Sequence, residues 1–502
     1  MHEANQKNTG KPDQLSIPKN YKENILRLVP LFIRALKSGA KVLPKAVLHQ
    51  YLNSILDKRE ILLDSASQFG TPQYFFDEPS LSLQIMRFHE AFSKHLERYR
   101  AFYAMKSNSF AGICKHVIAS DMGIDVSSGF ELSRALSMDC RNIVFSGPGK
   151  TDEELMFAIQ NRKRVTLLMD SMGELQRLSK LLKREKDLGD NLKAGIRIRP
   201  DHGKGWEKFG IPIKNLADMF RKSMAVKGMG LCGIQFHTSW NLDPTAQINM
   251  INEIGSCIHR HVPAKLWQSL KFLDIGGGFW PEQGEWLNPQ NTLKGQLIRL
   301  LDPGVRFRSR HYYRKSRPLD HFAREIAAAL SLQGPPLSDL EIWIEPGRWI
   351  STPAMHILLT VIDKKDSRTV ITDGGINLLG WERPLTEFVP VINLTKPSLK
   401  EFSLKTFGSL CAPYDIWGTS VFGNGIDTGD ILVIPDQGAY TYSLRQSFIK
   451  PLPKVIRYDG NSLEEVEKEQ QATRAILNVG IYNSIPNRNQ FRDKGHDKIV
   501  FL

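Results

Sequence analysis

The sequence predicts an α/β fold: a (β/α)8 TIM-like barrel followed by a C-terminal all-β domain, with an N-terminal helical extension. Three observations point there. Short apolar runs alternate with helical patterns about eight times between residues 102 and 345, over the length such a barrel occupies. The runs are continuously apolar rather than alternating, as strands buried on both faces are. Beyond residue 350 the rhythm changes to short β-rich segments separated by turns, which reads as a second domain.

Taken in order, residues 1–22 are polar and read as disordered, and 23–68 read as helices. Thr71-Pro72-Gln73 then gives a turn, followed by a short apolar strand. The barrel strands are expected at 102–106, 123–126, 143–146, 165–169, 194–199, 233–237, 272–275 and 342–345. The spacing between Gly278 and Asp320 is long, so an insertion is expected over 279–319. The β segments of the second domain are expected at 355–362, 369–372, 430–434 and 454–458. The divisions are therefore 1–68 (extension), 69–350 (barrel), 351–465 (β domain) and 466–502 (tail). No internal repeat is visible.

The chain of 502 residues is 41% hydrophobic and 24% charged, a globular rather than disordered composition. Five cysteines in an odd, scattered set, without metal-ligand spacing, argue for reduced thiols in a cytoplasm. No secretory leader and no apolar run near the length of a bilayer span is apparent, so a cytoplasmic protein without a transmembrane segment is expected. The net charge of +14 is mostly spread along the chain and reads as a solvated basic surface. It is denser in 24–52, with Arg27, Arg34, Lys37, Lys41 and Lys45, and in 306–317. A nucleic-acid module would rest on this charge alone, and no nucleic-acid partner is expected.

Polar residues collect at the expected C-terminal strand ends, where barrels of this kind carry their active sites. Lys106 closes the first run; desolvation there would lower its pKa and free an amine to attack an aldehyde. Asp125 ends the second run and could hold Lys106. His237 ends the sixth and could stack on a planar ring. Gly276, Gly277 and Gly278 follow the seventh and could bring backbone N–H groups to a phosphate. Glu345 ends the eighth, where a buried carboxylate needs a cationic partner such as a protonated ring nitrogen or Arg348. Gly147-Pro148-Gly149-Lys150-Thr151 imitates a P-loop, but Val144 stands where the first glycine is required, which excludes that reading. An amine, a ring, a phosphate cradle and an acid at four strand ends match what pyridoxal 5'-phosphate needs.

The sequence also resembles the alanine-racemase-fold (fold type III) decarboxylases, within them the diaminopimelate decarboxylase branch, with ornithine and arginine decarboxylases as cousins. The likeness runs from about 69 to about 460. It includes Tyr103-Ala104-Met105-Lys106-Ser107-Asn108, Asp125-Val126-Ser127-Ser128-Gly129, His237-Thr238-Ser239, the glycine triplet, Glu345-Pro346-Gly347-Arg348, Cys411 and Gly438-Ala439-Tyr440. The resemblance implies that Lys106 carries the cofactor, His237 stacks on it and Glu345 keeps its ring nitrogen protonated. It also implies that Gly276 to Gly278, Ser239 and Tyr440 hold the phosphate, with Arg197 near the ring edge. Cys411 would cross a homodimer interface and protonate the substrate carbon. Arg348, Arg383 and Tyr440 would meet the substrate.

The departures concern substrate choice. The branch has a glutamate after the cysteine, where this chain has Ala412, and a tyrosine four residues after the arginine of Arg383-Pro384, where it has Glu387. An amino-acid decarboxylase acting on a substrate with a distal carboxylate is expected. A racemase or epimerase on the same fold, or a non-catalytic regulatory protein, are the alternatives.

Overall fold

The computed structural model describes residues 29, 30, 33, 40–185, 189–200, 207–302, 305, 311–380 and 387–470. Arg27, Arg34, Lys37, Arg383, the 306–310 stretch and the tail beyond 470 lie outside them.

Eight parallel strands close into a barrel: β2 (Tyr99–Ala104), β3 (Gly123–Val126), β4 (Ile143–Phe145), β5 (Val165–Met169), β6 (Leu192–Arg199), β7 (Met229–Phe236), β8 (Phe272–Asp274) and β9 (Glu341–Ile344). β2 pairs with β3 on one side and β9 on the other, and the β5–β6 pairing closes the circle. The expected runs therefore fall on the strands, as the fold class requires. Inside, Phe102, Val144, Leu168, Phe272 and Trp343 form a packed plug, with Phe272 and Trp343 stacked at 3.6 Å. Gly233 makes room for it: a Cβ there would sit 2.1 Å from the Phe272 ring.

The helices obey ordinary start signals. Asp152–Gln160 begins with a capping box, in which Thr151 Oγ1 accepts from Glu154 N–H at 3.2 Å and Glu154 accepts from Thr151 N–H at 2.9 Å. Met172–Arg184 buries Leu175, Leu178, Leu181 and Leu182, the three-and-four spacing of one helix face. Each such leucine contributes about 2 kcal/mol. Lys150, the lysine of the imitation P-loop, is buried and bonds Glu174 and the Leu168 carbonyl, so it faces no ligand.

A second sheet contains β10 (Met355–Asp366), β11 (Thr369–Thr372), β12 (Ile392–Asn393), β13 (Glu401–Phe407), β14 (Ile416–Phe422), β15 (Ile431–Ile434), β16 (Lys454–Tyr458) and β17 (Leu463–Glu467). Its ninth strand is β1 (Gln73–Asp77), which lies antiparallel to β10 and parallel to β16. The strand that the sequence reading set at the front of the barrel unit thus belongs to this sheet. Its hydrophobic pairing explains the placement: Tyr74, Phe75 and Phe76 are all buried.

The extension contributes two helices, Lys45–Leu56 and Arg59–Phe69, whose Leu48, Leu52, Ile55 and Leu62 join a core with Phe75, Leu358 and Val433 of the second sheet. The insertion is not bare loop. Glu285–Leu287 and Tyr312–Arg314 pair with each other, and the second pairs with Lys41–Val42 of the extension. No helix among the described residues is long and apolar enough to cross a membrane.

Candidate active site

β2 ends at Ala104 and the chain turns through a single 3-10 turn, Met105–Ser107. Two backbone bonds fix that turn: Ala104 N–H donates to the Pro346 carbonyl at 2.9 Å, and Tyr440 N–H donates to the Ser107 carbonyl at 2.7 Å. The first joins the Lys106 turn to the end of β9, and hence to Glu345. The second draws a loop of the β domain over the barrel mouth. Tyr440 itself has φ +54°.

A cavity of about 320 Å³ opens at this end of the barrel. Lys106, His237, Ser239, Gly278, Glu345, Arg348 and Tyr440 all line it, with Trp240 and Trp280. Seven of the residues chosen from sequence therefore meet in one space. Asp125 stands behind Lys106, accepting from its Nζ at 2.8 Å. Arg197 is buried nearby, donating to the Ser146 carbonyl at 2.8 Å with its guanidinium over the Phe209 ring. Cys411 is exposed and does not line this cavity.

The glycine triplet works differently from the sequence reading. Gly276 N–H donates to Asp274 Oδ1 at 2.8 Å and Gly277 N–H to His237 Nδ1 at 3.2 Å. Two of the three N–H groups are thus already engaged by protein side chains, and of the triplet only Gly278 lines the cavity. The glycines are required sterically: a Cβ on Gly277 would meet the Glu345 carbonyl at 2.1 Å, and one on Gly278 the Thr238 carbonyl at 2.1 Å.

The electrostatics correct a second expectation. Burial alone would lower the Lys106 pKa, but the carboxylates of Asp125 and Glu345 outweigh it and push the pKa upward. The amine is held as a cation. Burial likewise opposes ionisation of Glu345, yet His237, 3.5 Å away, and the Lys106 charge bring it down to about 2. Burial lowers the His237 pKa. Asp125 is raised by burial and by the charge of Glu345.

Sequence reasoning missed Asp274 and Trp280. Asp274 is fully buried, its Oδ2 has no hydrogen-bond partner among the described residues, and burial with the nearby Glu345 charge raises its pKa well above its ordinary value. An acid set between an apolar run and a glycine triplet was the available signal. Trp280 lies 4.4 Å under the Arg348 guanidinium, which also faces the Tyr440 ring at 5.1 Å. Arg348 meets Glu387 at 3.4 Å, so one of the two substituted positions is an ion-pair partner of an expected substrate arginine. Ala412, the other, packs against the main core.

A cation, an anion and a glycine turn too tight for any Cβ, converging on one cavity beside a histidine ring, fit a planar aldehyde with a phosphate tail.

Residues 82–352 match the pyridoxal-binding domain of the pyridoxal-dependent decarboxylases. The chain is 25% identical over 435 residues to the diaminopimelate decarboxylase of Methanothermobacter thermautotrophicus, covering 81% of this chain and 91% of the relative. It is 25% identical over 396 residues to the 2-[(L-alanin-3-ylcarbamoyl)methyl]-2-hydroxybutanedioate decarboxylase of Staphylococcus aureus, covering 74% and 89%. In fold it is similar to the solved diaminopimelate decarboxylase of M. jannaschii with L-lysine, at a TM-score of 0.69 and 21% identity over 83% of this chain and 94% of that one. The chain belongs to the pyridoxal-dependent decarboxylases and is a pyridoxal-phosphate-dependent amino-acid decarboxylase.

Proposed function

We propose that the substrate is an amino acid whose far end carries a carboxylate, either diaminopimelate or a bulkier conjugate. The observation that carries this is Arg348, a guanidinium stacked between Trp280 and Tyr440 on the wall of the cavity that holds Lys106 and Glu345. A guanidinium has five N–H donors and binds a carboxylate through two of them. Glu387 engages its Nη1 and leaves donors for a second anion. The named substrate of the S. aureus relative is such a conjugate, and those of the other relatives quoted above are diaminopimelate.

In this reading the Lys106 amine carries the cofactor, and Asp125 takes up and returns the amine's proton. Pyridoxal phosphate supplies a conjugated ring that accepts the electron pair left when carbon dioxide departs. Glu345, ionised and buried, holds a proton at the ring nitrogen. His237 would pack on the ring face, while Gly278, Ser239 and Tyr440 would contact the phosphate; Gly276 and Gly277 shape the turn, and Arg197 would sit near the ring edge. Arg383 is the second candidate for the substrate carboxylate. The active unit is a homodimer, in which Cys411 of one chain reaches the cavity of the other and returns a proton to the substrate carbon. What supports this is an exposed Cys411 on a braced loop: Asp415 accepts from Ile376 N–H at 2.8 Å and Leu410 N–H at 2.7 Å. Five free thiols suit a cytoplasmic enzyme.

The test is carbon dioxide release from diaminopimelate, hydroxy-acid conjugates of diaminopropionate, ornithine, lysine and arginine, with pyridoxal phosphate added. A substrate with a distal carboxylate should exceed ornithine and lysine in kcat/KM by more than about tenfold, ~1.4 kcal/mol of transition-state discrimination. The reverse order overturns the reading of Arg348. Substrate inversion without carbon dioxide release would favour the racemase alternative.

A further inference from the structure

The opposite end of the barrel holds a second cavity, of about 260 Å³, among the first residues of the strands. Its floor is the aromatic plug: Phe102, Phe272 and Trp343. Its rim carries five cations, Arg100, Lys163, Arg164, Lys193 and Lys271, and one carboxylate, Glu341.

Three of the five are partly compensated. Arg100 meets Glu341 at 3.2 Å, Arg164 meets Asp139 at 2.8 Å and Lys163 stands 4.0 Å from Asp190. Glu341 is shared further, since Trp343 Nε1 donates to it at 2.7 Å. Lys193 and Lys271 form no ion pair with any described carboxylate, and both are close enough to act on the Cys232 thiol in the same cavity. The two lysines are held on the two strands that flank β7. Lys193 is in β6, whose ladder pairs it with Gly230 of β7. Lys271 precedes β8, its N–H bonding the Cys232 carbonyl at 2.7 Å and its carbonyl accepting from Glu341 N–H at 3.0 Å.

Like charges converging on one concave, part-apolar site repel each other and focus a positive potential into it. An anion of two or more charges relieves that repulsion. The volume lies below the range for drug-sized ligands, so the fitting occupant is small. We propose that this cavity binds a small multivalent oxyanion, bearing phosphate or carboxylate groups, at a site separate from the cofactor cavity.

The test uses the holoenzyme, so that pyridoxal phosphate already fills its own phosphate site. Calorimetric titration with pyrophosphate and with citrate identifies which oxyanion chemistry is preferred. One ion should bind per chain, with affinity falling as salt rises. The double substitution Lys193→Ala, Lys271→Ala should weaken binding by at least about tenfold. Without ligand the same variant should melt no lower than wild type, because repulsion has been removed. Lys193→Gln, Lys271→Gln repeats the measurement should the alanine variant fold poorly. Lys180→Ala, Lys183→Ala, on an outer helix, should bind as wild type does. Absence of binding by both anions, unchanged binding in both Lys193/Lys271 variants, or equal weakening in the outer-helix control would each overturn the proposal.

Discussion

Lys106 shows how one residue can be legible in kind and illegible in state. Its position at a strand end marked it, but its charge depends on Asp125 and Glu345, which lie 19 and 239 positions away in sequence. In the proposed reading, Glu345 is the residue on which the chemistry depends most. Its ionisation survives full burial only because the His237 side chain and the charges of Lys106 and Arg197 offset that burial, and a neutral amide cannot hold a proton on a ring nitrogen. Glu345→Gln should therefore keep the visible absorbance of the bound cofactor while turnover falls by about 100-fold or more, roughly 2.7 kcal/mol of barrier. Parallel absorbance spectra and single-turnover rates check this; an unchanged rate removes Glu345 from the role. Asp274 was overlooked because its significance is not in its own motif but in its closeness to the Glu345 charge, 71 positions later in sequence and at the end of the adjacent strand.

Elements with one buried face and a regular period were readable; those with mixed environments were not. Thr369–Thr372 and Lys454–Tyr458 were located at their observed bounds. β13 and β14 escaped, because their burial alternates irregularly across register shifts. β10 was found, but not the cost of its His356. That side chain is fully buried; its Nδ1 accepts from Asp436 N–H at 3.0 Å, and its Nε2 has no hydrogen-bond partner among the described residues. Burial, and then the Lys58 charge, lower its pKa from 6.5 to about 4. The folded state thus binds fewer protons than the unfolded one between those values, so this contribution is complete above 6.5 and lost as pH falls toward 4. The slope is at most about 1.4 kcal/mol per pH unit. His356→Gln keeps an acceptor for Asp436 and should flatten that slope; urea unfolding of both proteins across the window measures the difference. Identical acid limbs would show that His356 does not titrate there.

At the scale of the molecule, the two-domain plan was legible because periodicity changes where the architecture changes. How the domains interlock was not, since no local pattern says that β1 leaves the barrel that follows it. Assembly between chains gives the molecular-scale expectation. If Cys411 serves the partner's cavity, Lys106→Ala and Cys411→Ala homodimers are each inactive. Mixing them under exchange should restore up to about a quarter of wild-type activity, one competent site in each of half the dimers. Confirmed exchange with no recovery would overturn the shared site. The placement of β1 matters again during synthesis. Residues 73–77 leave the ribosome early, but their first partner, β10, begins at residue 355. At about 5–20 residues per second, the intervening chain takes on the order of 15–60 s to make. For that interval Tyr74-Phe75-Phe76 is a sticky β segment with neither of its pairing strands made, while the barrel after it can already be closing. A nascent chain of this protein carries an exposed aromatic handle until its second sheet emerges, which makes it a natural client for chaperones acting at the exit tunnel.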